Sequence, residues 1–145
     1  MSKKSAKRQA PNLLFVCYGN TVRSPMAEGL AKKILGEEAK VESAGISPFF
    51  DSAQENAIEV MRELFEVDIS NHRPRHIQEV LLEKFDYVIA MDTLVHLGLQ
   101  THYELAPEVL ILWEIDDPFE QDLEAYRNCA QKIHRCLLEF LEKKN

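Results

Sequence analysis

Cys17 and Arg23 stand with five residues between them, in the run Cys17-Tyr18-Gly19-Asn20-Thr21-Val22-Arg23-Ser24-Pro25. An apolar stretch, Leu13-Leu14-Phe15-Val16, comes before it and a helical pattern follows. A strand, a tight polar turn and a helix start together form an anion cradle. Successive backbone N–H groups of the turn point inward, and the helix adds its positive end. The same field that holds an oxyanion favours a sulfur anion. Arg23 contributes a planar fork that matches two phosphate oxygens. A sulfur nucleophile beside an oxyanion clamp suits phosphoryl transfer through a phosphocysteine. The alternatives are a buried cysteine ending a strand and a surface arginine at a helix start. The second is disfavoured, because a cation at a helix N-terminus needs an anion nearby.

Gly19 and Asn20 are residue types that tolerate left-handed backbone angles, which an inward-pointing loop requires. Ser24 fits either a hydroxyl donor to the sulfur or a simple helix cap. A phosphate ester also needs a proton for its leaving group. Asp116 and Asp117, in the Asp-Asp-Pro stretch, are the carboxyls expected on a nearby loop, although such a stretch is also ordinary turn chemistry. Tyr18, Phe49, Phe50 and Phe119 fall on or next to expected loops. They are either core residues or the walls of an aryl pocket.

The elements that must position these residues follow from periodicity. The pattern predicts strands over 12–17, 40–44, 86–91 and 108–112. Helices are expected over 24–36, 52–66, 93–101 and 119–143, with a short one near 77–84. Pro25 suits a first helical turn. Ser52-x-x-Glu55 reads as a capping box. Phe119, Leu123, Tyr126, Ala130, Ile133, Leu137 and Phe140 recur at helical spacing and predict one buried stripe. Strands alternating with helices predict an α/β domain, a parallel sheet with helices on both faces. Ligands in such sheets sit beyond the strand C-termini. Cys17, Ser43 and Asp92 end predicted strands, and Asp117 lies in the loop after the last one.

Composition excludes several classes. The chain of 145 residues is 46% hydrophobic and 28% charged, which suits one globular domain. No apolar run approaches the ~20 residues of a membrane span. The formal charge of −7 divides into about +4 for residues 1–11, through Lys3, Lys4, Lys7 and Arg8, and about −11 for the remainder. The first segment is expected to be a disordered basic tail, and residues 12–145 the folded domain. So acidic a body argues against nucleic-acid binding. Three cysteines and no secretion signal fit a reducing cytoplasm. Cys129 and Cys136, seven residues apart on one helix, are separated by ~10 Å of rise and are expected to pack rather than pair. No Cys or His grouping has zinc spacing.

The sequence resembles the low-molecular-weight protein tyrosine phosphatase family over about residues 12 to 142. Gly19, Asn20, Arg23, Ser24 and Pro25 match its Cys-x5-Arg pattern. Ser43-Ala44-Gly45, Asn71-His72-Arg73, Asp86 to Asp92 and Asp117-Pro118-Phe119 extend the match. The resemblance implies a four-stranded parallel sheet ordered 2-1-3-4. It implies Cys17 as nucleophile and Tyr18 to Arg23 as the phosphate-binding loop. Asn20, Ser24, Ser43 and His72 would support that loop. Asp117, directly before Pro118, would be the general acid, with Asp116 the lesser candidate. Hydrolysis of phosphotyrosine or a small aryl phosphate follows, in the cytoplasm, with no metal or other cofactor. Three positions depart from the pattern. Val22 stands where relatives often have a second cysteine, so a protective disulfide is not expected. Glu120 replaces a second aromatic. Thr21 replaces a larger apolar residue and occurs in relatives resembling phosphoarginine phosphatases, which keeps that substrate open. An arsenate reductase shares the loop but needs resolving cysteines, which are missing from Met91-Asp92-Thr93. A non-catalytic phosphate-binding module is the remaining alternative. Oligomeric state is left open.

Overall fold

The computed structural model describes residues 10–144. Met1–Gln9, and with them nearly all of the expected basic tail, lie outside the described residues. Four parallel strands, β1 (Leu13–Cys17), β2 (Val41–Gly45), β3 (Tyr87–Ala90) and β4 (Leu110–Leu112), form one sheet in the order β2-β1-β3-β4. The expected order is therefore observed. β1 is central, and its register places Cys17 beside Gly45 and Val16 beside Ala90. All five β1 residues are buried, as a strand covered on both faces must be.

Alternation along β1 divides the core. Leu13, Phe15 and Cys17 face one layer, built from helices α1 (Arg23–Leu35), α2 (Glu55–Phe65) and α4 (Leu123–Lys143). Leu14 and Val16 face the other, covered by α3 (Thr93–His102) and the segment 77–85. In α4 the buried stripe is Tyr126, Cys129, Ala130, Ile133, Leu137 and Phe140. A large apolar side chain such as Ile133, Leu137 or Phe140 taken from water contributes about 1.5–3 kcal/mol, so the stripe anchors α4 to the sheet.

The structure corrects four local expectations. The Ser52-x-x-Glu55 capping box does not form. The helix begins at Glu55 after an extended Gln54, without a side-chain cap. Gln54 N–H instead donates to Thr21 O at 3.0 Å, so the loop after β1 sets where α2 starts. The last helix begins at Leu123 rather than 119, because Asp122 caps it by accepting from Ala125 N–H at 3.0 Å. Phe119 therefore belongs to the loop and not to the helical stripe. The expected helix near 77–84 is two separate 3₁₀ turns, Ile77–Glu79 and Leu82–Lys84. Finally, Asn20 has a left-handed φ of 58° but Gly19 does not.

Candidate active site

The loop between β1 and α1 lies at the C-terminal edge of the sheet. Ile46 N–H donates to Cys17 O at 3.1 Å, and Ser47 N–H to Tyr18 O at 2.9 Å, which stitches the loop to the chain leaving β2. Gly45 makes this approach possible. A Cβ there would stand 2.9 Å from Tyr18 O and 3.0 Å from Asn20 Cβ. Helix α1 opens at Val22 with no side-chain cap and no acid in its first turn. Thr21 and Val22 are buried, yet their N–H groups donate to no backbone acceptor among the described residues. Buried donors of that kind normally meet an acceptor, and at a helix N-terminus the natural one is an anion.

Asn20 is fully buried and holds the loop from several sides. Its N–H donates to Cys17 Sγ at 3.2 Å, and its Nδ2 donates to Ser24 Oγ at 2.8 Å and Ser43 Oγ at 3.0 Å. Its Oδ1 accepts from Arg75 N–H at 3.0 Å, and its main-chain carbonyl meets His72 Nε2 at 2.8 Å. A carbonyl only accepts, so Nε2 is the protonated nitrogen of His72. Ser24 Oγ already accepts from Asn20, which leaves its hydroxyl hydrogen for Cys17 Sγ, 2.9 Å away. That bond, rather than helix capping, is the role of Ser24 in the structure. Ser43 hands its own hydroxyl on to Glu28 Oε1 at 2.5 Å. Burial pushes the His72 imidazolium below its ordinary pKa. The Asn20 carbonyl and Glu28 favour its charge, and Lys32 and Arg75 oppose it.

Arg23 is only 3% exposed. Its Nη1 donates to Asp92 Oδ2 at 2.8 Å and to Ile115 O at 2.9 Å. Its Nη2 lies 3.6 Å from Asp117 Oδ2. Burial works against this charge, but Cys17, Asp92 and Asp117 outweigh it and hold the guanidinium above its usual pKa. Because Nη1 is committed, the Nε–Nη2 edge is the fork left for a ligand.

A cleft of about 470 Å³ opens above Cys17. Tyr18, Thr21, Phe50, Phe119, Asp117 and Glu120 are among its lining residues, with Phe49 at the mouth, 86% exposed. The Phe50 and Phe119 rings lie 6.0 Å apart. The core reading of Phe49 and Phe50 is thus excluded. Asp117 Oδ1 accepts from Phe119 N–H at 3.1 Å, which fixes the carboxyl at the cleft wall. Asp116 lines a different depression, with Pro118, Asn128 and Cys129, and does not line the cleft over Cys17.

The structure therefore brings together Cys17, Arg23, Asp117, the loop, its supports and the aromatic walls. Sequence reasoning assigned no role to Asp92, Glu28 or Arg75. Asp92 was legible as an acid ending β3 at a helix cap, and it does accept from Val95 N–H at 2.8 Å. Its second oxygen, on Arg23, had no local signal.

Residues 12–145 match the family model described as low molecular weight phosphotyrosine protein phosphatase. The chain belongs to that family. A curated relative, arsenate reductase 1 of Staphylococcus haemolyticus, is 37% identical over 131 residues, covering 90% of this chain and 94% of that protein. A crystal structure of a low molecular weight protein tyrosine phosphatase from T. tengcongensis is 31% identical with a TM-score of 0.83, covering 92% and 99%. A structure of the YwlE arginine phosphatase from Geobacillus stearothermophilus is 25% identical with a TM-score of 0.83, covering 92% of each chain. No described helix is long and apolar enough to cross a membrane.

Proposed function

We propose that this family member hydrolyses aryl phosphate monoesters, phosphotyrosine first among them, through a phosphocysteine on Cys17. The observation that carries the reading is the convergence of Asn20 N–H and the Ser24 hydroxyl on Cys17 Sγ beneath a cleft walled by Phe50 and Phe119. Donors aimed at sulfur stabilise a thiolate nucleophile. Sγ attacks phosphorus in line while the loop N–H groups and the Nε–Nη2 edge of Arg23 hold the equatorial oxygens. The P–O bond to the aryl group breaks, and the departing oxygen takes the proton of the Asp117 carboxyl. Water then attacks the phosphocysteine, gives its proton to the Asp117 carboxylate, and Sγ leaves as a thiolate stabilised by Ser24. Asn20, Ser24, Ser43 and His72 act by holding the loop. The substrate is a phosphorylated protein or small aryl phosphate in the cytoplasm.

Two other substrates are carried by specific observations. Thr21 lines the cleft where a larger apolar side chain would favour a flat ring, which supports a protein-arginine phosphatase. The arsenate reductase relative supports arsenate as the bound oxyanion. A relay of resolving thiols is disfavoured. Besides Cys17 the chain has only Cys129 and Cys136, and burial pushes the Cys129 thiol up to about 12.

One panel decides among them. Phosphotyrosine and phosphoarginine peptides are compared as substrates without added metal, alongside arsenate with a thioredoxin couple. Cys17→Ser serves as the inactive control that still binds phosphate. Fast phosphotyrosine turnover, lost in Cys17→Ser, is expected. Preferential turnover of either other substrate, or wild-type rates from Cys17→Ser, refutes the reading.

A further inference from the structure

We propose that Glu120 is a specificity-determining residue that makes the cleft prefer phosphorylated aromatic groups flanked by positive charge. This rests on the phosphatase reading above and narrows its substrate class.

Three observations converge on Glu120. Its φ is 67°, a left-handed angle that a glycine adopts freely and a glutamate does not. Such a residue persists when its surroundings over-determine it, and these sites cluster around function. Here the turn closes through Gln121 N–H on Pro118 O at 2.8 Å, Gln121 Nε2 donates to Asp117 O at 3.2 Å, and Asp122 caps the N-terminus of α4 immediately afterwards. The turn that aims the Asp117 carboxyl therefore also sets Glu120 on the cleft wall.

The charge around the cleft is one-sided. Among the described residues, Asp117 and Glu120 are its lining acids and Arg23 is its one lining base. Arg23 Nη1 is held at the floor by Asp92 and Ile115 O, and its Nε–Nη2 edge serves the phosphoryl group there. The phosphoryl group is met at the floor, so whatever flanks the aromatic ring meets Glu120 at the rim. The exposed rings of Phe49 and Phe50, 5.4 Å apart, offer a lysine or arginine a cation–π surface on the same cleft that Glu120 lines. An acidic flank would instead bring like charges together, on a body whose net charge beyond the first eleven residues is about −11.

The test uses two phosphotyrosine peptides that differ only in flanking residues, arginine in one and glutamate in the other. Wild type, Glu120→Gln and Glu120→Gly are compared by kcat/KM at low and high salt. Wild type is expected to favour the arginine peptide by roughly two- to fivefold, the size of one partly exposed charge pair, with the preference shrinking in salt. Both variants should reduce that ratio toward one. Glu120→Gly should also melt no lower than wild type, because it relieves the left-handed strain. An unchanged ratio in both variants, or a wild-type preference for the glutamate peptide, overturns the proposal. The same ratio is read as Kd on a Cys17→Ser background. Absence of wild-type turnover on para-nitrophenyl phosphate therefore rejects the phosphatase reading alone, while the binding ratio still decides the role of Glu120.

Discussion

Gly45→Ala adds a single methyl group, and the structure states where it goes. Gly45 has no left-handed angle, so alanine meets no backbone penalty at this position. The added carbon would stand 2.9 Å from Tyr18 O, 3.0 Å from Asn20 Cβ and 3.1 Å from Asn20 N. All three atoms belong to the loop that carries Cys17, and two are backbone. Relief to ordinary contact, near 3.5 Å, moves the loop by about 0.5 Å. A catalytic constellation must be held to within about that distance, and a 1 Å misplacement costs about 10²-fold in rate. We therefore expect kcat/KM to fall about tenfold. Overpacking costs about 1–3 kcal/mol, and Gly→Ala returns about 0.4–1 kcal/mol through the unfolded chain. The net loss is on the order of 1 kcal/mol, a drop of about 2–4 °C in Tm at this chain length. Gly98→Ala is the matched control. It sits within α3, its added carbon meets nothing within 4 Å, and it should hold activity and raise stability slightly. The assay is para-nitrophenyl phosphate kinetics beside thermal unfolding for both variants. If Gly45→Ala kept kcat/KM within twofold of wild type, the idea that loop position is set by contact with β2 would be wrong.

Three other outcomes are expected. Asp117→Asn should lower kcat by about 10²–10⁴ on poor leaving groups and less on para-nitrophenyl phosphate, as general acid catalysis predicts. Asp116→Asn, off the cleft, should change it weakly, and the reverse ordering in the kinetics moves the assignment. His72 is neutral when folded at a pH where the unfolded chain takes up a proton, since burial lowers its pKa from 6.5. Stability should be full above that value and fall as pH drops below it. Denaturant midpoints measured from pH 5 to 7.5 should show a shallower slope in His72→Gln, and an equal slope contradicts the neutral state. Cys129, with its thiol pushed up to about 12, should resist iodoacetamide at pH 8 until the protein is unfolded, as peptide mass mapping would read.

The sheet was legible because its central strand is an unbroken apolar run and the four long helices carry helical spacing. Leu13 to Val16 are apolar without interruption, as a central parallel strand must be. The loop was legible because Gly-Asn between Cys and Arg leaves few ordinary structural uses. Helix starts were harder to read. Ser52 had the right spacing for a cap, but a cap is a local bond that competes with tertiary ones, and here Gln54 N–H on Thr21 O won. The starting point of α4 failed for a related reason. Phe119 fits the stripe by count, yet Asp122 caps more strongly than an apolar position extends a helix.

The residues that sequence reasoning missed share one property: each acts across a large separation, through an atom its own neighbourhood does not need. Asp92 uses Oδ1 on Val95 N–H, as a helix cap should, and Oδ2 on Arg23, 69 positions away. Arg75 gives its peptide N–H to Asn20, 55 positions away. Glu28 lies one turn from Lys32, with which it pairs at 2.7 Å, and that pair reads as an ordinary exposed-face contact. Its other oxygen takes the Ser43 hydroxyl, which in turn holds Asn20. The loop is therefore fixed by groups whose local roles were complete without it. A chain read along its length shows the first use of each side chain. The second use, which makes a polar loop rigid enough for chemistry, exists only once the sheet has brought β1, β2 and β3 into register.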